Sequence, residues 1–268
     1  MKLRSVKRYL GGTLAVAILA LPLMMVACGG EEVVEEVAET IEWGYSGAGG
    51  PENWGSISEE NASCGSGAQQ SPIDITGYQQ AGVSPPISFS YRKEAESVTN
   101  LGTSVGANYP TGNRLGFGER TYQLETITPH TPSEHHVDGK SYALELQLLH
   151  SQVFGDVAVV SRLYDIGEAD PVIQEIIDNA PSEVGTSEVT GILNARGLMT
   201  RDLGYYSYKG SATTPPCAEP VDWFIMLEIG TVSQAQVDAL KAITGDNNRP
   251  LQALGGREVF TSGSRTGP

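Results

Sequence analysis

Short segments of apolar and β-branched residues, separated by polar stretches, are the clearest structural signal along this chain, and they predict a protein built mainly from β-strands. Two of them, Tyr122–Thr131 and Ser141–His150, read as strands joined by a turn, and two more, Val157–Tyr164 and Val221–Glu228, are apolar and enriched in β-branched residues. Asp138 and Gly139 fall in a polar stretch that predicts a turn between the first two strands. Because side chains alternate across a strand, Thr128 and His130 are expected on one face.

Helical signals are few and short. Asp170–Asn179 has the composition of a short helix, and Ser233 with Gln236 forms a capping box for a helix ending near Ile243. The 268 residues suit one large domain without internal repeats, and the 32 glycines and 15 prolines are typical of a loop-rich β protein. The sequence therefore predicts a single, mainly β domain with short peripheral helices.

The N-terminus carries an export signal. Four basic residues precede an apolar run from about residue 10 to 27, and Cys28 follows within MVACGG, as in a lipoprotein signal. An uncleaved membrane helix is the alternative, because the run approaches the length of a membrane span. We assign residues 1–27 to the signal peptide, 28–42 to a lipidated Cys28 with an acidic tether, 43–262 to the folded domain and 263–268 to a tail.

The net charge limits the classes of molecule that this protein is expected to bind. The chain has 17 basic and 32 acidic residues, a net charge of −15, and loss of residues 1–27 makes this about −19 because it removes only basic residues. Such a charge argues against nucleic acid and against direct adsorption on anionic lipid. Membrane association is expected only through the N-terminal lipid, with the domain exported to the outer face of a bacterial membrane or the periplasm.

All four histidines lie within residues 122–150. In this segment TPSEH at 131–135 and ELQLLH at 145–150 resemble the zinc-site hairpin of the α-class carbonic anhydrases. The resemblance extends in chain order through five further motifs, WGY at 43–45, GPENW at 50–54, QSPIDI at 70–75, YYSYKGSATTPPC at 205–217 and NRPLQ at 248–252. It implies the α-carbonic-anhydrase fold, with a large, twisted, mostly antiparallel central sheet of about ten strands.

The ligand positions depart from the family pattern. The family holds zinc with three histidines, and the register places Thr128, His130 and Gln147 at those positions. Of these three residues only His130 is a histidine, so no metal cofactor is expected. Zinc would bind only if other side chains supplied the missing ligands. His135 and His150 are expected to be structural, and His136 to be solvated at the turn.

Other features of the family site are retained. By resemblance, Glu134 and Thr213 form the pair that orients a metal-bound hydroxide, and Glu145 is the carboxylate that orients the third ligand. The wall where carbon dioxide rests is matched by Leu149, Val159, Ala212, Val221 and Trp223. The resemblance also implies a disulfide between Cys64 and Cys217; two free thiols are the alternative.

Three functions follow from these residues. The family reaction is the reversible hydration of carbon dioxide to bicarbonate, and the lost ligands predict a zinc-free chain that is inactive or very weakly active. The second possibility is an active carbonate dehydratase with a different metal or a metal-free site, acting on carbon dioxide and bicarbonate. The third is a binding module for a protein or glycan partner.

Overall fold

The computed structural model describes residues 41–81, 85–153, 155–199 and 202–262. The signal peptide, Cys28 and most of the tether, together with the tail at 263–268, lie outside the described residues. Within the described part of the chain, no helix has the length and apolar character needed to cross a membrane.

The described residues contain fifteen strands, most of them short. They are β1 Asp74–Ile75, β2 Gln79–Gln80, β3 Ile87–Ser90, β4 Ser97–Asn100, β5 Val105–Asn108, β6 Arg114–Phe117, β7 Arg120–His130, β8 His136–Val137, β9 Leu144–Ser151, β10 Val157–Ile166, β11 Gly185–Glu188, β12 Tyr205–Gly210, β13 Val221–Met226, β14 Gly230–Val232 and β15 Phe260–Thr261.

The helices are short and lie between the strands, as predicted. The α-helices are α1 Trp54–Ile57, α2 Ser63–Ser66, α3 Pro171–Asn179 and α4 Gln234–Thr244. Three 3₁₀ turns cover Gly47–Gly49, Glu59–Asn61 and Ala195–Leu198. Asp170 caps α3 by accepting from two backbone N–H groups, and Ser233 with Gln236 forms the predicted capping box of α4.

One large sheet dominates the fold. Its main path runs β11-β4-β5-β7-β9-β10-β13-β12-β15-β2, and β6, β3 and β14 extend it to 13 strands, more than the ten expected. Most pairs are antiparallel, as predicted, whereas β10 pairs in parallel with β13 and β14, and β15 with β2. A separate parallel pair joins β1 to β8.

The predicted hairpin is present, but its connection is more structured than a polar turn. The turn itself lies at Asp138 and Gly139, both with positive φ. The segment before it is buried at Ser133, Glu134 and His135. It then forms β8, in which His136 pairs with β1 and is only half-exposed, so the prediction of a solvated His136 is wrong.

Strands β7 and β9 lie side by side at the centre of the sheet. Thr128 is paired with Gln147, and His130 is paired with Glu145. Antiparallel pairing brings such residues onto the same face, about 5 Å apart between Cβ atoms. The register therefore brings the three predicted ligand positions close together. Thr128 and His130 share one face of β7, as predicted from their spacing of two residues.

Pro129 fits β7 without breaking this ladder. Its carbonyl accepts from Asn247 Nδ2 at 3.0 Å, on the side of β7 away from β9. The nitrogen of a strand residue faces the same side as its carbonyl, so the missing N–H would not have bonded to β9. The other neighbours of β7 pair with it only as far as Ile127, so Pro129 occupies an unpaired stretch of edge where proline is tolerated.

Three apolar clusters stabilise the domain. The largest packs one face of the sheet against α3 and α4, and the second includes Val159, Val221 and Trp223. The third contains Trp54 and the disulfide that joins Cys64 to Cys217, with an S–S distance of 2.04 Å, as the resemblance implied. By closing a loop across 153 positions, this bond restricts the unfolded chain.

His150 lies in the core, as predicted, and gives the stability a pH dependence. Its Nε2 is 2.8 Å from the Tyr91 hydroxyl, and burial lowers the pKa of His150 from 6.5 to about 3. Between pH 3 and 6.5 His150 is protonated in the unfolded chain but neutral in the native protein. The free energy of unfolding therefore decreases as pH falls from about 6.5 to 3.

Replacing this histidine is therefore expected to flatten the acid side of the stability profile. Relative to His150→Gln, the wild type should lose roughly 1.4 kcal/mol of unfolding free energy per pH unit between about pH 6.5 and 4. Urea unfolding at a series of pH values measures this, with His136→Gln as the matched control. Parallel profiles for the wild type and His150→Gln would contradict the assignment.

Candidate functional site

A cavity of about 220 Å³ opens where β7, β9 and β10 meet the loop after β12. Eleven side chains line it: Ser104, Thr126, Thr128, His130, Gln147, Leu149, Val159, Ala212, Thr213, Thr214 and Trp223. The structure thus brings together all three predicted ligand positions, Thr213 and four of the five predicted wall residues. Val221 does not line the cavity; it is buried in the core cluster that also contains Val159 and Trp223.

His130 is held by the segment that follows α4. Its ring lies 2% exposed at the end of β7, and Nδ1 donates to the Asn247 carbonyl at 2.7 Å. The Asn247 side chain in turn accepts from Thr131 N at 2.8 Å. These contacts fix the orientation of the ring and its Nδ1 proton, so Nε2 is left as the nitrogen available to the cavity.

Gln147 is bound to two buried carboxylates. Its amide nitrogen donates to Glu134 Oε2 at 2.7 Å and to Glu145 Oε1 at 3.2 Å. Ionised carboxylates only accept hydrogen bonds, so the –NH₂ end of the amide must face them. At Glu145 the amide thus donates in place of the ring N–H that a histidine ligand at position 147 would supply.

Glu145 is fully buried and saturated with donors. Its carboxylate accepts from the backbone N–H groups of Glu134 and His135 at 3.0 and 2.8 Å, from His135 Nδ1 at 2.8 Å and from Ser161 Oγ at 2.8 Å. Burial raises the pKa of Glu145, but the charge and hydrogen bonds of His135 outweigh it and lower the pKa to about 2. Glu145 is thus an ionised, structural carboxylate at neutral pH.

His135 extends this network away from the cavity. Its Nε2 is 2.6 Å from the Tyr208 hydroxyl, which is 2.7 Å from Ser71 Oγ. The ring is fully buried and does not line the cavity. Its predicted structural position is confirmed, and neither His135 nor His136 is placed to substitute for a missing ligand.

Glu134 and Thr213 are not hydrogen-bonded to each other. Glu134 Oε1 accepts from Arg249 N at 2.9 Å, and Oε2 accepts from Gln147. Thr213 is buried at the cavity, and among the described residues no hydrogen bond joins its hydroxyl to Glu134. The hydrogen bond expected from the resemblance is therefore not formed among the described residues, and both carboxylate oxygens of Glu134 accept from other donors.

The donor set at the three ligand positions does not fit zinc. Thr128 offers a hydroxyl, and the Gln147 amide is bonded through its nitrogen to two carboxylates, so His130 supplies the one imidazole. Structural and catalytic zinc sites need three or four nitrogen, sulfur or carboxylate donors that converge. Within the described residues no group of three or more His, Cys, Asp or Glu side chains is arranged to hold a metal ion.

Sequence reasoning missed several residues of the site. Asn247, which fixes His130, directly precedes the NRPLQ motif, and that adjacency was the available signal. Tyr208 lies within the motif at 205–217 without being singled out, and its hydroxyl binds His135. Thr214 lies in the same motif, directly after Thr213, whereas Ser104 carried no sequence signal because no motif includes it.

Comparisons with known proteins identify what this fold and cavity are similar to. The family model described as eukaryotic-type carbonic anhydrase matches residues 49–263. The carbonic anhydrase of Neisseria gonorrhoeae is 34% identical over 220 residues, which cover 81% of this chain and 87% of that protein.

Two solved structures share the fold. A hyperthermostable carbonic anhydrase from a hydrothermal vent chimney superposes with a TM-score of 0.79 at 34% identity, covering 82% of this chain and 99% of that one. The α-carbonic anhydrase of Photobacterium profundum gives a TM-score of 0.77 at 38% identity, covering 82% of this chain and 100% of that one.

Proposed function

Because the chain belongs to the eukaryotic-type, or α-class, carbonic anhydrase family, we propose that it is an exported member that does not hold zinc in the family manner and is inactive or very weak in carbon dioxide hydration. One observation carries the proposal. At the ligand position opposite Thr128, the Gln147 amide is bound to Glu134 and Glu145 rather than presenting a ring nitrogen.

The chemical consequence follows from what zinc supplies. Three nitrogen ligands and one open position allow the metal to lower the pKa of bound water to about 7, which generates hydroxide at neutral pH. Here His130 is the one imidazole at the cavity, and Glu134 is bonded to Gln147 rather than to Thr213. This arrangement therefore provides neither the ligands for a metal that generates hydroxide nor the hydrogen bond that would orient the hydroxide.

Metal analysis tests the proposal directly. Purified full-length protein, exposed to excess zinc and then dialysed, is expected to contain well below one zinc per chain. Stopped-flow hydration of carbon dioxide should show no rate above buffer. One tightly held zinc per chain would overturn the proposal.

The second candidate is a carbonate dehydratase with a non-standard metal or a metal-free site. It is favoured by the cavity itself, which both His130 and Thr213 line, and by Glu134 Oε1, which is 3.6 Å from His130 Nδ1. These groups would polarise a water molecule for attack on carbon dioxide. A measurable hydration rate that Thr213→Ala abolishes would establish this candidate, and a rate unchanged by that substitution would exclude it.

A binding role follows from the first proposal. A domain with an open cavity and little turnover would act by recognition of a protein or glycan, presented outside the cell through lipid on Cys28 and the acidic tether. The net charge of −15 continues to argue against nucleic acid as a partner. Labelled fatty acid should be incorporated into the wild type and not into Cys28→Ala, and equal labelling would contradict the anchor.

A further inference from the structure

The cavity is lined by two kinds of side chain besides His130 and Gln147. Leu149, Val159, Ala212 and Trp223 are apolar. Five others carry a hydroxyl group: Ser104, Thr126, Thr128, Thr213 and Thr214. A volume of about 220 Å³ is enough for a molecule of roughly ten non-hydrogen atoms, and its mixed lining suits a ligand with an apolar body and one polar end.

His130 supplies an unused hydrogen-bond acceptor at this cavity. With Nδ1 donating to the Asn247 carbonyl at 2.7 Å, the neutral ring carries a lone pair on Nε2. No side chain or backbone group among the described residues donates to Nε2, and His130 lines the cavity. This nitrogen is therefore left to accept from a water molecule or from a ligand that donates a hydrogen bond within the cavity.

The charges around the cavity disfavour anions. No Lys or Arg side chain lines it. Behind Gln147 lie the carboxylates of Glu134 and Glu145, both buried. An anionic ligand would therefore lose its hydration and meet a negative field, without a cation to compensate.

We propose that this cavity binds a small neutral alcohol, whose hydroxyl donates to His130 Nε2 while its apolar body packs on Leu149, Val159 and Trp223. A hydroxyl suits the site because it can donate to the imidazole and accept from the hydroxyl of a lining threonine. The inference rests on the proposed function, since a zinc ion on His130 would occupy the same nitrogen.

Three probes of similar size test the proposal by calorimetry on the full-length protein at pH 7.5. Benzyl alcohol donates, benzonitrile is neutral but only accepts, and benzoate is anionic. Benzyl alcohol is expected to bind about tenfold more tightly than benzonitrile, and benzoate to show no binding. Equal binding of the first two, tighter binding of benzoate, or absence of benzyl alcohol binding would each overturn the proposal.

Two variants locate the binding. Ala212→Leu adds apolar bulk to the cavity lining without touching His130, and it should abolish benzyl alcohol binding while the unfolding midpoint stays near that of the wild type. His130→Ala should remove the preference for benzyl alcohol over benzonitrile. If His130→Ala does not fold, nitrogen NMR of the wild type replaces it, because the Nε2 resonance of His130 should shift with benzyl alcohol and not with benzonitrile.

Zinc content of the same sample separates this inference from the proposed function. Zinc-free protein that fails to bind benzyl alcohol contradicts the inference alone. Protein that holds one zinc per chain contradicts the proposed function, and the inference with it.

Discussion

Replacing both Thr128 and Gln147 with histidine is expected to convert the cavity into a zinc site. The two positions are paired across β7 and β9, and His130 lies two residues from Thr128 on the same face. Two further imidazoles would complete three nitrogen donors around one open position, and zinc affinity should rise on the order of a thousandfold or more. Calorimetric titration with zinc and metal analysis after dialysis measure the change.

Loss of the Gln147 amide is expected to have a second effect. Glu134 Oε2 loses the donor that now lies at 2.7 Å and can accept from another group. Glu145 Oε1, now 3.2 Å from the amide nitrogen, can accept from the ring N–H of the new histidine. The double substitution should thus restore the carboxylate that orients the third ligand as well as the ligands themselves.

Turnover is expected to recover less than zinc binding. By resemblance, position 126 holds a glutamine that orients the first ligand and position 129 an aromatic residue, whereas this chain has Thr126 and Pro129. A first ligand displaced by about 1 Å for lack of these contacts costs on the order of a hundredfold in rate. Adding Thr126→Gln and Pro129→Phe should therefore raise the rate of carbon dioxide hydration further.

A matched control distinguishes the ligand positions from the cavity in general. Thr126 also lines the cavity, so Thr126→His with Gln147→His adds the same two imidazoles with one of them displaced by two residues. This control should bind zinc far more weakly than the designed pair. A folded Thr128→His, Gln147→His protein that binds no zinc would show that the ligand positions are misplaced.

The sequence was sufficient for the strands that carry the site, because alternation is a local property. The predicted bounds of β7, β9, β10 and β13 agree with the structure to within a few residues at each end. The register followed from the motifs at 131–135 and 145–150, which fix Thr128 opposite Gln147. The disulfide and the family fold followed from the ordered motifs in the same way.

What the sequence could not supply was the direction of individual hydrogen bonds. The resemblance placed Glu134 beside Thr213, but the partner of a carboxylate depends on which donor reaches it, and here that donor is Gln147. Val221 was assigned to the cavity wall from a motif match, although its side chain packs in the core. The role of Asn247 depends on a contact across 117 positions, which no local pattern encodes.

Glu145→Gln is expected to cost about 3–5 kcal/mol of unfolding free energy at pH 7, because it removes the charge at the centre of a buried network. Four N–H or O–H groups besides Gln147 donate to this carboxylate. An amide has one acceptor oxygen, so its –NH₂ group must face either the two backbone N–H groups or His135 and Ser161. The first orientation leaves two buried backbone N–H groups without an acceptor, and the second forces His135 into its other tautomer and sets the new –NH₂ against that of Gln147.

The pH dependence identifies the charge as the cause. The native pKa of Glu145 is about 2, below its ordinary value of 4.5, so its contribution is fully present above about pH 4.5 and is lost as pH falls toward 2. The difference in unfolding free energy between wild type and Glu145→Gln should therefore narrow below about pH 4.5, as measured by urea unfolding.

Glu125→Gln is the matched control, because Glu125 is an exposed glutamate of β7 that accepts from Ser151 Oγ. This substitution should change the free energy of unfolding by less than about 0.5 kcal/mol. A difference that stays constant from pH 7 to pH 3 would mean that packing, rather than the carboxylate charge, accounts for the loss.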